Sequence, residues 1–113
     1  GPWARAKGFP GSAPVSSFVP ASQLTVAWDG IDLSLTVDGE ARQSSTTAKM
    51  LLAPGRTVAL LSQWFPLRAG DLIFTGTPEG VGPVPAGSTA TATSRALDLE
   101  VSVQVVREAP AAT

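Results

Sequence analysis

The chain contains neither cysteine nor histidine. Without cysteine there is no disulfide framework, no thiolate metal site and no thiol nucleophile. Without histidine, Ser-His or Cys-His catalysis and imidazole metal ligation cannot come from this chain alone. Charge is sparse as well. Eight Lys and Arg lie scattered against nine Asp and Glu, for a net charge of −1. That is not the basic footprint of a nucleic-acid binder. No apolar run approaches the roughly 20 residues that span a bilayer, and no signal peptide is visible. These absences point to a small-molecule or protein partner and fit a cytoplasmic location.

Glycine and proline, by contrast, are abundant, at 11 and 10 of 113 residues. They favour turns and short strands over a helical bundle. The length suits one domain, and 43% hydrophobic content suits a folded core. The chain opens on Gly1-Pro2-Trp3 without an initiator methionine. A processed terminus, a tag scar or a missing upstream part would each explain this.

The pattern along the chain is β-rich. Residues 1–14 read as irregular. Residues 15–20 and Leu24 to Trp28 read as short strands, with Asp29-Gly30 as a turn. Ile31, Leu33, Leu35 and Val37 then alternate with Asp32, Ser34 and Thr36. That period of two predicts a half-buried strand. Asp38-Gly39 predicts a hairpin, with a return strand over residues 40–45. Thr46-Thr47 suits the cap of a short helical turn holding Met50, Leu51 and Leu52. Pro54-Gly55 reads as an interruption, followed from Arg56 by one amphipathic helix of about ten residues that ends before Pro66. Trp64 and Phe65 on that helix read as core. Leu72 to Thr75 reads as a buried strand and Ser88 to Ser94 as another. Leu97 through Val105 alternates as a long strand over a core. Residues 107–113 read as a frayed tail. The sum is about six to eight strands and one main helix, an α+β domain.

Residues 70–83, Gly-Asp-Leu-Ile-Phe-Thr-Gly-Thr-Pro-Glu-Gly-Val-Gly-Pro, are the most distinctive stretch. Glycine permits close backbone approach and positive φ, and proline fixes φ. The loop is therefore shaped, either as a plain turn or as a ligand-facing loop. Thr75 and Thr77 could donate hydroxyls to a carboxylate. The loop lacks the Gly-Lys-Ser/Thr ending of a phosphate cradle. Lys7, amid small and apolar neighbours, is either a surface lysine or a fixed cation for an anionic substrate. The pairs Asp38/Glu40 and Asp98/Glu100 have spacing that suits a hard cation. Asp38 sits in a turn, however, and Asp98/Glu100 oppose the apolar stripe, so solvated faces are the leading reading for both pairs.

Residues 70–83 resemble the signature of the fumarylacetoacetate hydrolase family. Pro2-Trp3 with residues 6–9, Ala13-Pro14-Val15-Ser16, residues 37–43 and Thr46-Thr47 with Met50 resemble further family motifs, in the family's order. The nearest subgroup is the acylpyruvase-like one, and the match runs over residues 2–106. The resemblance implies part of a mixed β-sandwich roll, a Mg²⁺ or Mn²⁺ ion, and a homodimer. It implies C–C bond hydrolysis or decarboxylation of acylpyruvate or fumarylacetoacetate-type 1,3-diketo acids through an enolate. Isomerisation or decarboxylation of homoprotocatechuate-pathway diacids is the alternative. It places the active-site lysine on Lys7 and the substrate-binding threonine on Thr77, with Gly76 and Thr75 shaping the contact. Pro10 stands where the family has an aspartate. The family's carboxylate metal ligands and its Glu–His lid lie upstream of the Pro-Trp motif. On this reading the chain is a C-terminal half, a single partial catalytic domain over 1–113. Alone it would bind no metal tightly and be inactive, and it would dimerise or pair with an N-terminal half. A non-catalytic β-domain is the rival reading.

Overall fold

The computed structural model describes residues 7–107. The expectations for residues 1–6 and for the tail from 108 onward lie outside them. Four strands form one sheet: β1 (Asp32–Val37), β2 (Glu40–Thr46), β3 (Thr89–Ser94) and β4 (Leu99–Gln104). Their order is β2-β1-β3-β4, with every pairing antiparallel. One helix, α1 (Pro54–Trp64), lies in the long connection between β2 and β3. The architecture is α+β. Among the described residues no helix is long and apolar enough to cross a membrane.

The alternating pattern sets the sheet's two faces. Leu35 pairs with Ala92, which pairs with Val101, and Val37, Ala90 and Val103 form the next row. Directly opposed residues share a face, so these rows make an apolar surface. Thr36, Thr91 and Ser102 make a row on the other face. There the Thr91 and Ser102 hydroxyls share a hydrogen bond of 2.9 Å. Val37 is the buried centre of the apolar face at 3% exposure, while Leu33 near its edge is 44% exposed.

Two turns fix the strand pairing. Asp38 and Gly39 both take positive φ, at 49° and 82°. Two such residues make the mirror-image turn whose twist matches a hairpin. The β3–β4 connection, residues 95–98, is tied down by Asp32. Its carboxylate accepts from Ala96 N at 2.8 Å, Arg95 N at 3.0 Å and Ser94 Oγ at 3.1 Å. The N–H of Ala96 first, and that of Arg95 next, hold the Asp32 carboxyl below its ordinary value.

Several expectations need correction. Four strands, not six to eight, form among the described residues. Residues 15–20 and 24–28 make no ladder. Ala21–Gln23 and Trp28–Gly30 are 3-10 turns instead. Thr47 holds that region in place: its hydroxyl donates to Trp28 O and accepts from Ile31 N at 3.1 Å. The Thr46 side chain makes no capping bond. Pro54 and Gly55 open the helix rather than interrupt what precedes it, because proline's missing N–H is harmless in the first turn. Residues 72–75 pair with no strand, and Leu72 and Phe74 are 60% and 78% exposed. The last strand is shorter than residues 97–105, although Val105 N still reaches Ser88 O at 2.8 Å. Trp64 and Phe65 are not core, since α1 does not pack extensively on the sheet and both side chains face outward.

Candidate substrate-gripping loop

The distinctive loop is seated on β2 at a defect in the ladder. Leu35 pairs with Gln43, but the next residue, Thr36, pairs with Ala41. Arg42 is therefore the extra residue of a β-bulge, a feature that bends a strand and re-aims its groups. The loop docks on both Arg42 and Gln43. The Arg42 guanidinium donates through Nη1 to Pro83 O at 3.2 Å. Gln43 Nε2 donates to Thr77 Oγ1 and to Pro78 O, each at 2.8 Å.

Gly80 makes the docking possible. A Cβ built there would sit 2.1 Å from the Arg42 carbonyl oxygen and 3.1 Å from Gln43 Cγ. Its φ is +103°, a conformation that L side chains rarely adopt. Glycine is thus required at position 80 both by the close approach and by the backbone.

Between loop and sheet lies a half-open hollow of about 250 Å³. Leu35 and Val37 contribute its apolar wall. Arg42, Gln43 and Thr77 contribute polar groups, and residues 80–82 and Val84 complete it. An apolar wall with a few aimed polar groups is what a small anionic ligand requires. A second hollow of about 240 Å³, at the far end of the sheet, is largely apolar and includes Phe18, Trp28 and Leu99.

The predicted residues fare unequally. Thr77 lines the hollow. Thr75 and Gly76 precede it in the same loop, but neither contributes to the lining. Lys7 is exposed at the start of the described residues and is not part of the lining. Asp38 serves the sheet, accepting from Thr89 N at 2.9 Å, and Asp98 takes φ 51° in the β3–β4 turn. No three Asp or Glu side chains converge on a point among the described residues. Sequence reasoning gives Arg42 and Gln43 no role of their own. Both lie within the motif at residues 37–43, but nothing local signals that they meet a loop 34 to 41 positions away.

The chain is 46% identical over 92 residues to the oxaloacetate tautomerase YcgM of Escherichia coli, covering 81% of this chain and 42% of the relative. It is 45% identical to the solved fumarylpyruvate hydrolase of Pseudomonas aeruginosa in complex with Mn²⁺ and pyruvate. That match has a TM-score of 0.71 and covers 79% of this chain and 37% of the other. It is 37% identical to the solved 5-carboxymethyl-2-hydroxymuconate delta-isomerase of Mycobacterium smegmatis, with a TM-score of 0.69 over 74% of this chain and 33% of the other. The chain thus spans less than half the length of the relatives it matches. Residues 1–108 match the family described as fumarylacetoacetate (FAA) hydrolase C-terminal, and the chain belongs to that family.

Proposed function

We propose that this chain supplies the substrate-gripping part of an enzyme site for 2-keto acids, acting on oxaloacetate or on acylpyruvate-type 1,3-diketo acids through an enolate. The observation that carries this reading is the docked loop. It brings Thr77 to the lining of a hollow that Arg42 and Gln43 also line, with Thr77 Oγ1 held by Gln43. Relatives named for tautomerisation, hydrolysis and isomerisation share the chain's family. Enolate formation next to a carboxylate is a step that all three reaction types can use.

The division of labour follows from charge. The substrate carboxylate accepts from Thr77 O–H, with Arg42 contributing positive potential along the same wall. Lys7 is the cation for negative charge developing on the enolate oxygen, where a preformed donor is worth most. A divalent metal would supply Lewis-acid polarisation of the keto oxygen. The described residues offer no cluster that could hold one. On the family resemblance such a metal would be held by residues upstream of this chain, and the chain by itself is expected to be inactive.

The test is turnover by the full-length protein with Mn²⁺, assayed with oxaloacetate, an acylpyruvate and a homoprotocatechuate-pathway diacid. The reading requires activity on at least one of the first two. Activity on the diacid alone would favour the isomerase branch. No turnover of any, in a folded and metal-loaded protein, would favour a non-catalytic β-domain.

A further inference from the structure

We infer that Gln43 is a positioning residue that fills one acceptor site of the Thr77 hydroxyl and so leaves the hydroxyl's own proton to be donated toward the hollow. The binding consequence rests on the function proposed above. The polarity itself rests on geometry alone.

Gln43 Nε2 lies 2.8 Å from Pro78 O and 2.8 Å from Thr77 Oγ1. The Pro78 carbonyl can only accept, so the amide end that faces it is the NH₂ group. That group has two hydrogens. One goes to Pro78 O, which leaves the other for Thr77 Oγ1. Thr77 therefore accepts from Gln43, and its own proton is left for an acceptor in the hollow that it lines. A hydroxyl is otherwise free to serve as donor or acceptor. Here the amide takes up one of its two lone pairs and leaves the proton unspent.

The sequence delivers Gln43 to this position in two steps. The bulge at Arg42 resets the register so that Gln43 stands opposite Leu35, a residue of the hollow's wall. Gly80 then lies over Gln43 with no side chain, where even a Cβ would approach Gln43 Cγ to 3.1 Å. The amide can reach the loop only because position 80 is bare. In consequence the hollow offers a free proton to an unprotonated oxygen, such as a carboxylate or enolate.

Two substitutions separate polarity from packing. Gln43→Glu keeps the shape but offers only acceptors. It sets a carboxylate against Pro78 O and can bond Thr77 only by taking its proton. Gln43→Met keeps the volume and leaves Thr77 free to choose. Pyruvate affinity is measured by titration calorimetry on the full-length protein with Mn²⁺. Gln43→Glu is expected to weaken pyruvate binding roughly tenfold or more, and Gln43→Met distinctly less. In a Thr77→Val background the Gln43→Glu loss shrinks to the part that charge repulsion alone contributes. Equal losses from both Gln43 variants, or a Gln43→Glu loss of undiminished size in the Thr77→Val background, would overturn the inference. A ligand-free measurement stands apart from the proposed function. By ¹H–¹⁵N NMR both Gln43 side-chain protons should be protected from exchange, and Thr77→Val should expose one of them. If Thr77→Val leaves pyruvate affinity unchanged, the functional reading falls while the NMR result still decides the polarity. Two freely exchanging Gln43 protons would refute the polarity itself.

Discussion

Gly80 has no room for a methyl group. The nearest atom to its absent Cβ is the Arg42 carbonyl oxygen, a backbone atom that cannot swing away. Gly80→Ala should therefore lift the loop from β2 and break the Gln43 and Arg42 contacts together. The expected cost is about 1–3 kcal/mol from strain and lost contacts. Denaturant unfolding would measure it, with faster amide exchange over residues 76–83 as the local signature. An unchanged midpoint would show that the loop is not seated as described. Asp32 makes a separate prediction at this scale. Its folded value is lowered, so the stabilisation it contributes is present above the ordinary value of about 3.8 and lost as pH falls through the lower folded value. Asp32→Asn should lower stability at neutral pH and flatten the acid limb of the stability–pH curve. An acid limb identical to that of the parent protein would contradict this. Thr77 is legible in the sequence as a hydroxyl at the mouth of a glycine loop. Gln43 is not, because its role depends on a contact 34 residues away that no local pattern encodes.

Elements are legible where their cause is local. The alternation of Leu33, Leu35 and Val37 and the Asp38-Gly39 dipeptide predict β1, the turn and β2 within a residue. Where the cause is a partner, the pattern misleads. Residues 72–75 have a strand's composition but pair with no strand here, so composition alone leaves them irregular. The helix start misleads for a different reason: proline disrupts a helix interior but suits the first turn, and only position tells the two apart. The bulge is invisible, because a one-residue register shift leaves no trace in periodicity over so short a strand. The hairpin offers an element-scale prediction. At Gly39, with φ 82° and open space around it, alanine meets only the backbone penalty. Gly39→Ala should lower the unfolding free energy by about 1 kcal/mol without changing the m-value. A changed m-value would mean that the hairpin governs more of the fold than its own turn.

The molecule exposes more surface than a compact protein of its size. Its accessible area is 9192 Å², against the roughly 5,800 Å² that mass scaling gives a compact protein of 11.5 kDa. Trp64, Phe65, Phe74 and Val81 are among the exposed large side chains, at 79%, 60%, 78% and 77%. Relatives are more than twice as long as the region they share with this chain. We therefore expect the exposed sheet face and α1 to be covered by a second copy or by an N-terminal half. Sedimentation velocity at micromolar concentration should show self-association of the isolated chain, relieved when the remaining part is supplied. A stable dilute monomer would count against this. The family is legible because its motifs are contiguous stretches. The expectation of uncovered apolar surface comes from the same motifs, which make the chain a C-terminal half, and not from composition, because 43% hydrophobic content describes how much apolar surface exists and not how much finds cover.

The central claim is that the Thr77 loop grips the keto-acid substrate, and Thr77→Val in the full-length, Mn²⁺-loaded protein tests it most directly. The substitution keeps the side-chain shape and removes the donor. The account predicts a fall in kcat/KM of about tenfold or more on the preferred keto acid, with little change in melting temperature. An unchanged kcat/KM in a folded, metal-loaded variant would contradict it.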